Sequence, residues 1–536
     1  MGLLIVSWNV AGLSTTVQRI HNAYKAEEEA KSTTALEFFF NKHGGDIFCL
    51  QEHKIPQKQL SSRGEPHQCA TLHGYESFWS PTTASGMNGV VTYAKKGLTK
   101  SANASPLGIP DLDKQGRCIS TDHGSFVIFN VYAPCNGGHS VHDKMKFLHA
   151  LRSAMRATKK PVILLGDLNI THTPLDKFWK DRIVMVNSIL NQPSETSSWH
   201  SDVVEAWPKI KKALMTSEVK EVQTTNPTTG AKFQKYRLQC ISSDGKKIFL
   251  GGYESKPEYC LYHYNMEKSF FECPETGEKR LTCAENTLSL ETLTELMNKL
   301  GGINWSESDQ RKVASEVDGV CPHHPARKWL DTLICRHDKM IDVFRHFYPK
   351  AEGRFTCWDQ FKNRRYENEG CRIDYIWVDA ALLQYVQKGD GGLQLGENDT
   401  LNQESEEAAL EAATCGGRYK PVSFQGGGIV DVSRTILDKQ FAHPHTGMIY
   451  TPPSFSDHIA VSLFLDLSPE QSGLENDKET KRAQPHKLQQ SIATFFTAPL
   501  GKNSEEKKRG TVASRFPQKK LNKKPKTMLH HFGIKE

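Results

Sequence analysis

The chain has 536 residues, 38% of them hydrophobic, so it is long enough to form one large domain with a substantial core. It contains no apolar run of about 18 residues, and its thirteen cysteines lack the dense spacing of a disulfide scaffold. These features argue against a membrane-spanning protein and a disulfide-stabilised secreted protein. The net charge of +7 is uneven: residues 478–536 contain 15 Lys and Arg against 4 Asp and Glu, whereas the rest contains 53 against 57.

Six short runs rich in apolar residues predict buried strands, and a polar residue of a metal- or phosphate-binding type lies beside each run. In chain order, the runs are Leu3–Trp8, Asp46–Leu50, Phe126–Val131, Val162–Gly166, Arg372–Ile376 and Ile459–Leu467. If these strands lie side by side, the polar residues meet at one edge. Asp and Asn often end strands because they favour turns, but six such ends in one chain predict an active site.

The residue types at these ends suit the hydrolysis of a phosphate ester. Glu52 and Asp457 are carboxylates of the kind that Mg²⁺ prefers. Asp167 and Asn169 lie two residues apart, on one face of an extended segment, where they can orient a water molecule and transfer its proton. His458, with a carboxylate as its partner, suits a phosphate contact.

The segments around these residues resemble the endonuclease/exonuclease/phosphatase superfamily, and within it the exonuclease III-like apurinic/apyrimidinic (AP) endonucleases. In the family's order, the matching segments are Ser7–Gly12, Leu50–Lys54, Asn130–Pro134, Gly166–Asn169, Arg372–Tyr375 and Ser456–His458. The stretch Asp342–Thr356 resembles the AP endonuclease 2 branch most closely. The resemblance covers residues 1–467 and implies an α/β fold, a four-layer α/β/β/α sandwich of two mixed sheets.

The resemblance also implies roles for individual residues. The implied metal ligands, for Mg²⁺ or alternatively Mn²⁺, are Asn9, Glu52, Asp167, Asn169, Asp457 and His458. The implied catalytic residues are Tyr132, Asp167, Asn169, Asp374 and His458, and the implied DNA contacts are Asn136, Trp358 and Arg372. The chain departs from the family at Ala11, where relatives carry Asp or Asn, and the missing oxygen puts the strength of metal binding in question.

Two insertions interrupt the predicted catalytic domain of residues 1–467. Residues 191–304 are unlike the family core, and residues 389–428 form an acidic, Gly-rich segment that predicts a mobile surface loop. Between the motifs, Ser140 opens a predicted helix with an apolar side made of Val141, Met145, Leu148, Leu151 and Met155. Lys144 is predicted on a solvated face of this helix.

Residues 468–536 predict a disordered, basic tail that carries a short binding motif. Residues 489–496 match the box that binds the sliding clamp, PCNA, at Gln489, Ile492, Phe495 and Phe496. One helical turn would place the three apolar side chains together as a plug for a groove. A second cluster, Met528–Phe532, matches the box only weakly. The basic segment 515–526 predicts nuclear import, a DNA-backbone contact, or both.

Together these features predict a nuclear, monomeric, Mg²⁺-dependent DNA repair nuclease that is recruited by the clamp. The expected substrates are DNA with abasic sites, cut on the 5′ side, and DNA with 3′-blocked ends, from which blocking groups or nucleotides are removed. One alternative is another phosphoesterase of the superfamily, acting on RNA or inositol phosphate, which the nuclease-like segment Arg372–Tyr375 disfavours. A second is a catalytically weak, clamp-binding scaffold, which Ala11 favours and the full set of site residues disfavours.

Overall fold

In a computed structural model, the protein is described at residues 2–25, 33–62, 65–82, 86–135, 141–184, 190, 198–225, 232–241, 245–250, 263–265, 270–272, 279–280, 288–317, 324–335, 337–349, 353–360, 364–365, 368–387, 446–449, 451 and 454–467. The predicted loop 389–428 and the tail 468–536 lie outside these ranges, as does Asn136. Within them, every helix is too short or too polar to cross a membrane.

Two mixed sheets form the centre of the protein. In spatial order, the strands of the first sheet are Val386–Gln387, Ala460–Asp466, Gly2–Asn9, Ile47–Gln51, Val90–Lys95 and Tyr75–Ser80, and Gly447–Ile449 also pairs with Ala460–Asp466. The strands of the second sheet are Met340–Asp342, Asp374–Asp379, Val162–Asp167, Val127–Tyr132, Cys118–Asp122 and Ser101–Asn103. Each sheet has one parallel pair of central strands among antiparallel neighbours. The prediction of two mixed sheets is confirmed.

Side chains of the central strands alternate between two cores, because successive residues of a strand point to opposite faces. Leu3 and Ile5 pack between the two sheets, against a core that includes Ile163 and Leu165 of the second sheet. Leu4, Val6 and Trp8 of the same strand point to the opposite face and pack against helices. The inner core therefore brings the two sheets face to face.

Helices cover the outer face of each sheet and complete the predicted four layers. Leu13–Tyr24 and Ala35–His43 cover the first sheet, and Val141–Ala157 and Pro325–Ile334 cover the second. The other helices are Gln57–Leu60, Pro110–Asp113, Ser198–Met215, Leu290–Leu296, Glu307–Glu316 and Val343–Phe347. Local signals set their ends: Thr34 and Glu37 form a capping box at the start of Ala35–His43, and Gly44 ends that helix with φ +64°.

The helix Val141–Ala157 confirms the predicted apolar side but corrects the position of one lysine. All five predicted apolar residues are buried. Lys144 is also buried, with 1% of its surface exposed, and its Nζ donates a hydrogen bond to the Asn169 carbonyl at 2.6 Å. Lys144 follows Val141 by three residues and precedes Leu148 by four, which places it on the same face of the helix.

The predicted insertion of about residues 191–304 has a hydrophobic core of its own, which also includes flanking residues. This core begins at Trp179 and Val184 and extends to Val313 and Ala314. The helices Ser198–Met215, Leu290–Leu296 and Glu307–Glu316 supply most of its residues, and Glu218–Thr225, Lys232–Ile241 and Lys247–Leu250 form a three-stranded sheet nearby in the chain. Apolar residues that flank the predicted insertion thus pack in the same core as the insertion.

Arg372, a predicted DNA contact, lies in a buried ion network. Its guanidinium, 1% exposed, donates to Asp176 at 2.7 Å and to both oxygens of Asp342 at 2.7 and 3.1 Å. Arg345 also pairs with Asp176. The two carboxylates therefore accept hydrogen bonds from Nε, Nη1 and Nη2 of Arg372, and its contact with DNA stays a prediction.

This network predicts a strong dependence of stability on Asp176. Burial raises the pKa of Asp176, but Arg372 and Arg345 lower it more, and the resulting pKa lies well below the usual range. We expect Asp176→Ala to lower the free energy of unfolding by about 3–5 kcal/mol, because it removes the buried carboxylate that Arg372 and Arg345 share and leaves Asp342 as the partner of Arg372. The contribution of Asp176 should be present above about pH 4, the unfolded-state pKa, and be lost as pH falls through the folded-state pKa.

The matched control is Glu307→Ala, which breaks an exposed i,i+4 pair with Arg311 at 3.0 Å. That change should cost no more than about 0.5 kcal/mol. Urea unfolding of both variants, followed by tryptophan fluorescence, measures the difference. Equal losses in the two variants would contradict a special contribution of the buried network.

Candidate active site

Asn9 and Glu52 meet at one edge of the first sheet because their strands are parallel neighbours. Asn9 pairs with Gln51 in the sheet register, and Glu52 follows directly. The fully buried Asn9 amide donates to Glu52 Oε1 at 3.0 Å. Lys54 Nζ lies 2.9 Å from the other carboxylate oxygen. Burial raises the pKa of Glu52, but the Lys54 ammonium and the Asn9 hydrogen bond lower it more, so Glu52 is held ionised.

Asp167 occupies the corresponding edge of the second sheet. It pairs with Tyr132 on one side and with Asp374 on the other. Its Oδ2 accepts hydrogen bonds from Asn9 Nδ2 at 3.0 Å and from Asn169 Nδ2 at 3.2 Å. Burial, then the neighbouring Asp374 carboxylate, raise the pKa of Asp167 to about 7. Asp167 can therefore exchange a proton near neutral pH.

His458 and Asp374 form a second link between the sheets. His458 precedes the strand Ala460–Asp466 of the first sheet, and Asp374 begins a strand of the second. His458 Nδ1 lies 2.8 Å from Asp374 Oδ2. Burial lowers the pKa of His458, but Asp374 raises it more, so that the pKa lies well above its usual range. The imidazole is therefore held as a cation with a defined orientation.

Backbone conformations at the ends of these strands are unusual. Ala11, Glu52, Lys54 and Asn169 have φ values of +49°, +54°, +56° and +51°. This left-handed region favours glycine and disfavours residues with a Cβ atom. Lys54 Nζ donates to the Ala11 carbonyl at 2.9 Å, and Asn169 N donates to Asp167 Oδ1 at 2.8 Å. These contacts hold strained turns in place around the site.

The structure brings most of the predicted site residues together. Asn9, Glu52, Asp167, Asn169, Asp374 and His458 form a continuous set of contacts, Tyr132 adjoins Asp167 in the sheet, and Asp457 directly precedes His458. Burial raises the pKa of Tyr132, which therefore remains a phenol. Their roles in metal binding and catalysis remain predictions.

Trp358, a predicted DNA contact, is buried in the structure. Only 3% of it is exposed, its Nε1 donates to Asn368 Oδ1 at 3.3 Å, and the Arg365 guanidinium lies 5.0 Å above its ring. The ring belongs to the core between the two sheets. The contact of Trp358 with DNA stays a prediction.

Two buried cations next to the site were not predicted. Lys144 Nζ donates a hydrogen bond to the Asn169 carbonyl, and burial lowers the pKa of Lys144 to about 8. Arg117, 3% exposed, donates to the Tyr132 carbonyl at 3.3 Å and lies 4.9 Å over the Tyr132 ring. The helical position of Lys144 on the apolar face was a usable signal. Arg117 carries no comparable local signal.

The model of the Endonuclease/Exonuclease/phosphatase family matches residues 6–208. The matched range contains Asn9, Glu52, Tyr132, Asp167 and Asn169, the part of the site that comes from four neighbouring strand ends. The predicted resemblance to the family is confirmed.

Individual proteins of the same kind are also similar to the chain. The DNA-(apurinic or apyrimidinic site) endonuclease 2 of Homo sapiens is 29% identical over 428 residues, which cover 71% of this chain and 55% of that protein. The exodeoxyribonuclease of Bacillus subtilis (strain 168) is 28% identical over 177 residues, which cover 32% of this chain and 60% of that protein. The chain thus spans little more than half the length of these relatives. The predicted likeness to AP endonuclease 2 is confirmed.

Among solved structures, that of AP endonuclease LMAP from Leishmania major is similar to this chain. The match covers 87% of this chain and 88% of the LMAP chain, with 16% sequence identity and a TM-score of 0.41.

The site offers a donor set that fits a divalent cation. Donor atoms of Asp167, Asp374 and His458 lie within 4.8 Å of one another. Asp374 Oδ1 is buried and has no hydrogen-bond partner among the described residues. Buried polar atoms are normally satisfied, so an oxygen of this kind can take a cation. Glu52 supplies a further ionised carboxylate, connected to Asp167 through Asn9.

The Asp374 contact predicts an unusual titration of His458. In metal-free protein, we expect the His458 imidazole to stay protonated through pH 8, because Asp374 favours the charged form. Asp374→Asn should lower the pKa of His458, since burial is then opposed only by the smaller effects of Asp457 and Asp167. The stability from the pair should be fully present below about pH 6.5 and be lost as pH rises through the folded-state pKa.

Nitrogen NMR of the histidine side chains measures this titration, with the His458 signal identified by its loss in His458→Gln. Asp331→Asn is the control, because Asp331 contacts His172 at 2.9 Å but not His458. The control should leave the His458 titration unchanged. A His458 signal that titrates near pH 6.5 in the unaltered protein would contradict the proposed charge.

Proposed function

We propose that the protein is a Mg²⁺-dependent DNA repair nuclease that hydrolyses phosphodiesters 5′ to abasic sites and removes 3′ blocking groups or nucleotides. The observation that carries this proposal is the meeting of Asn9, Asp167, Asp374 and His458, which come from two sheets and form one buried acid, amide and imidazole site. The names of the similar proteins, an AP endonuclease 2 and an exodeoxyribonuclease, support DNA as the substrate.

Residues of this chain would divide the work of phosphodiester hydrolysis. Glu52, with Asn9 and Asp457 close by in the site, would hold the metal. Bound Mg²⁺ would offset negative charge on the phosphoryl oxygens. Asp167, with a pKa of about 7, would accept the proton of the attacking water, and the Asn169 amide would orient that water.

The phosphate would meet donors rather than acceptors. Asp374 keeps His458 protonated, so the imidazolium can donate its remaining N–H to a phosphate oxygen. Tyr132 remains a phenol and can donate its hydroxyl proton. Lys144 holds the Asn169 carbonyl from beneath and would keep the Asp167–Asn169 turn in place.

A catalytically weak scaffold is the second candidate, and Ala11 favours it. This position offers only its backbone carbonyl, which already accepts a hydrogen bond from Lys54. A substrate panel separates the two candidates. Purified protein with Mg²⁺ should cut an abasic duplex, a 3′-blocked duplex or a recessed duplex, and chelator should abolish cutting. Comparable cutting of RNA or release of phosphate from inositol phosphates would favour the other phosphoesterases.

Catalysis should depend on Asp167 and His458. Because these side chains act on the proton and the phosphate, Asp167→Asn and His458→Ala should each lower the rate by at least about 100-fold, a typical acid or base contribution. Steady-state assays on the best duplex measure this, and circular dichroism checks that the variants fold.

The matched control is Asp331→Asn, which removes a carboxylate from a different His–Asp pair. The rate of this variant should stay within about twofold of the unaltered protein, since peripheral substitutions change energies by about 0.5 kcal/mol or less. A near-normal rate in well-folded His458→Ala or Asp167→Asn would remove the proposed mechanism.

Recruitment by the sliding clamp and nuclear localisation are further proposals, which rest on the sequence of the tail. Its motif, Gln489 to Phe496, lies outside the described residues. Phe495→Ala with Phe496→Ala removes both aromatics of the motif, each worth about 2 kcal/mol or more in a small interface. Calorimetry with PCNA should therefore detect no binding, whereas cutting of a short oligonucleotide should not change.

The control for the tail replaces its charge instead of its aromatics. Changing Lys519, Lys520, Lys523, Lys524 and Lys526 to Gln should flatten the salt dependence of DNA binding, since each lost phosphate contact lowers the slope by about one. Clamp binding should survive this change. Wild-type clamp affinity in the double-Phe variant would rule out the motif.

A further inference from the structure

Two cysteines lie in a row with His458 at the edge of the proposed active site. Cys357, in the strand Cys357–Trp358, pairs directly with Cys371 on one side and forms a β-bridge with His458 on the other. Directly paired residues of neighbouring strands project from the same face. The Cys371, Cys357 and His458 side chains therefore follow one another across three chain segments.

Backbone hydrogen bonds fix this arrangement. Trp358 N donates to the Asp457 carbonyl at 3.1 Å, and Ile459 N donates to the Thr356 carbonyl at 2.9 Å. On the other side, Thr356 N donates to the Cys371 carbonyl at 2.9 Å. The cysteines are thus held beside His458 by regular pairing. Both cysteine residues are partly exposed.

The donor atoms are close enough to share one ion. Sγ of Cys357, a carboxylate oxygen of Asp457 and a ring nitrogen of His458 lie within 4.8 Å of one another. The thiol of Cys371 interacts with that of Cys357 and is a candidate fourth ligand. Lys177, the nearest cation in this row, lies opposite Cys371, at the end of the row remote from His458.

This donor set differs in kind from that of the proposed Mg²⁺ site. Mg²⁺ takes oxygen ligands and keeps much of its water. Thiolate sulfur with imidazole and a carboxylate selects softer ions, above all Zn²⁺, which is usually bound by three or four ligands of these types. The cysteines, with Asp457 and His458, therefore favour the binding of a second cation that differs chemically from Mg²⁺.

We propose that Cys357, Asp457 and His458, with Cys371 as a fourth ligand, form a site for a thiophilic divalent cation of the zinc class, and that its occupation inhibits the nuclease. Binding displaces the thiol protons and one proton of the His458 imidazolium to solvent, and it requires no oxidant. The inhibition rests on the proposed function, because the ion would withdraw His458 from the phosphate and Asp457 from the Mg²⁺ site. The binding site itself does not depend on that function.

Binding is tested on the reduced full-length protein with Cd²⁺, whose thiolate complexes absorb in the ultraviolet. The unaltered protein should show a thiolate band that saturates at one equivalent above the contribution of other thiols. This band should be lost in Cys357→Ser and weakened in Cys371→Ser. Cys335→Ser is the control, because Cys335 Sγ has a carboxylate at 3.9 Å but no paired cysteine or imidazole in this cluster. Identical titrations of the unaltered protein, Cys357→Ser and Cys371→Ser would overturn the proposal.

Inhibition is tested with Zn²⁺ at saturating Mg²⁺. Cys357→Ser should keep the basal rate but need at least about 10-fold more Zn²⁺ for half-inhibition, since even the loss of an outer partner of a metal typically costs 10- to 100-fold in affinity. Equal sensitivity of Cys357→Ser and the unaltered protein would overturn the inhibitory site. Absence of cutting with Mg²⁺ alone would instead refute the proposed nuclease, and the Cd²⁺ titration would still decide the site.

Discussion

One amide group, that of Asn9, holds the two sheets together at the site. Its nitrogen has two hydrogens: one goes to Glu52 at 3.0 Å in its own sheet, and the other goes to Asp167 at 3.0 Å across the inner core. Its oxygen accepts a hydrogen bond from Ala11 N. Without this side chain, two buried acids would face each other without a shared donor. The spacing of the acids, and thus of anything bound between them, depends on one residue.

A second layer of amides supports the first. Gln51, the last residue of the strand Ile47–Gln51, donates to Asn130 Oδ1 on the opposite sheet at 2.8 Å. The Asn130 amide in turn donates to the Val91 carbonyl at 3.0 Å. Ser456 donates to the Asn9 carbonyl at 2.7 Å and fixes the turn before His458. The amide nitrogens of Gln51 and Asn130 thus bond to groups of the facing sheet, and buried networks of this kind favour a single arrangement.

The sequence could predict features that depend on local patterns. Alternating apolar residues indicated the strands, and polar residues at their ends indicated the site, as Asn9, Asp167 and His458 show. The ion pair of Arg372 with Asp176 was not predicted, because the two residues lie 196 positions apart and no local pattern reveals such a pairing. The packing of Trp179 in the core of the insertion also involves residues far from it in the sequence, so local patterns do not reveal it. Residue type indicates what a side chain can bind, but the fold decides what it meets.

The left-handed backbone conformations of Ala11, Glu52 and Lys54 bring stability and the chemistry of the site into conflict. Each such conformation costs roughly 1–3 kcal/mol in a residue with a side chain, and glycine would relieve that cost at Ala11 and Lys54. Glycine at position 54 would, however, remove the ammonium that keeps Glu52 ionised. Heat resistance and the chemistry of the site therefore make opposite demands on the same few backbone positions.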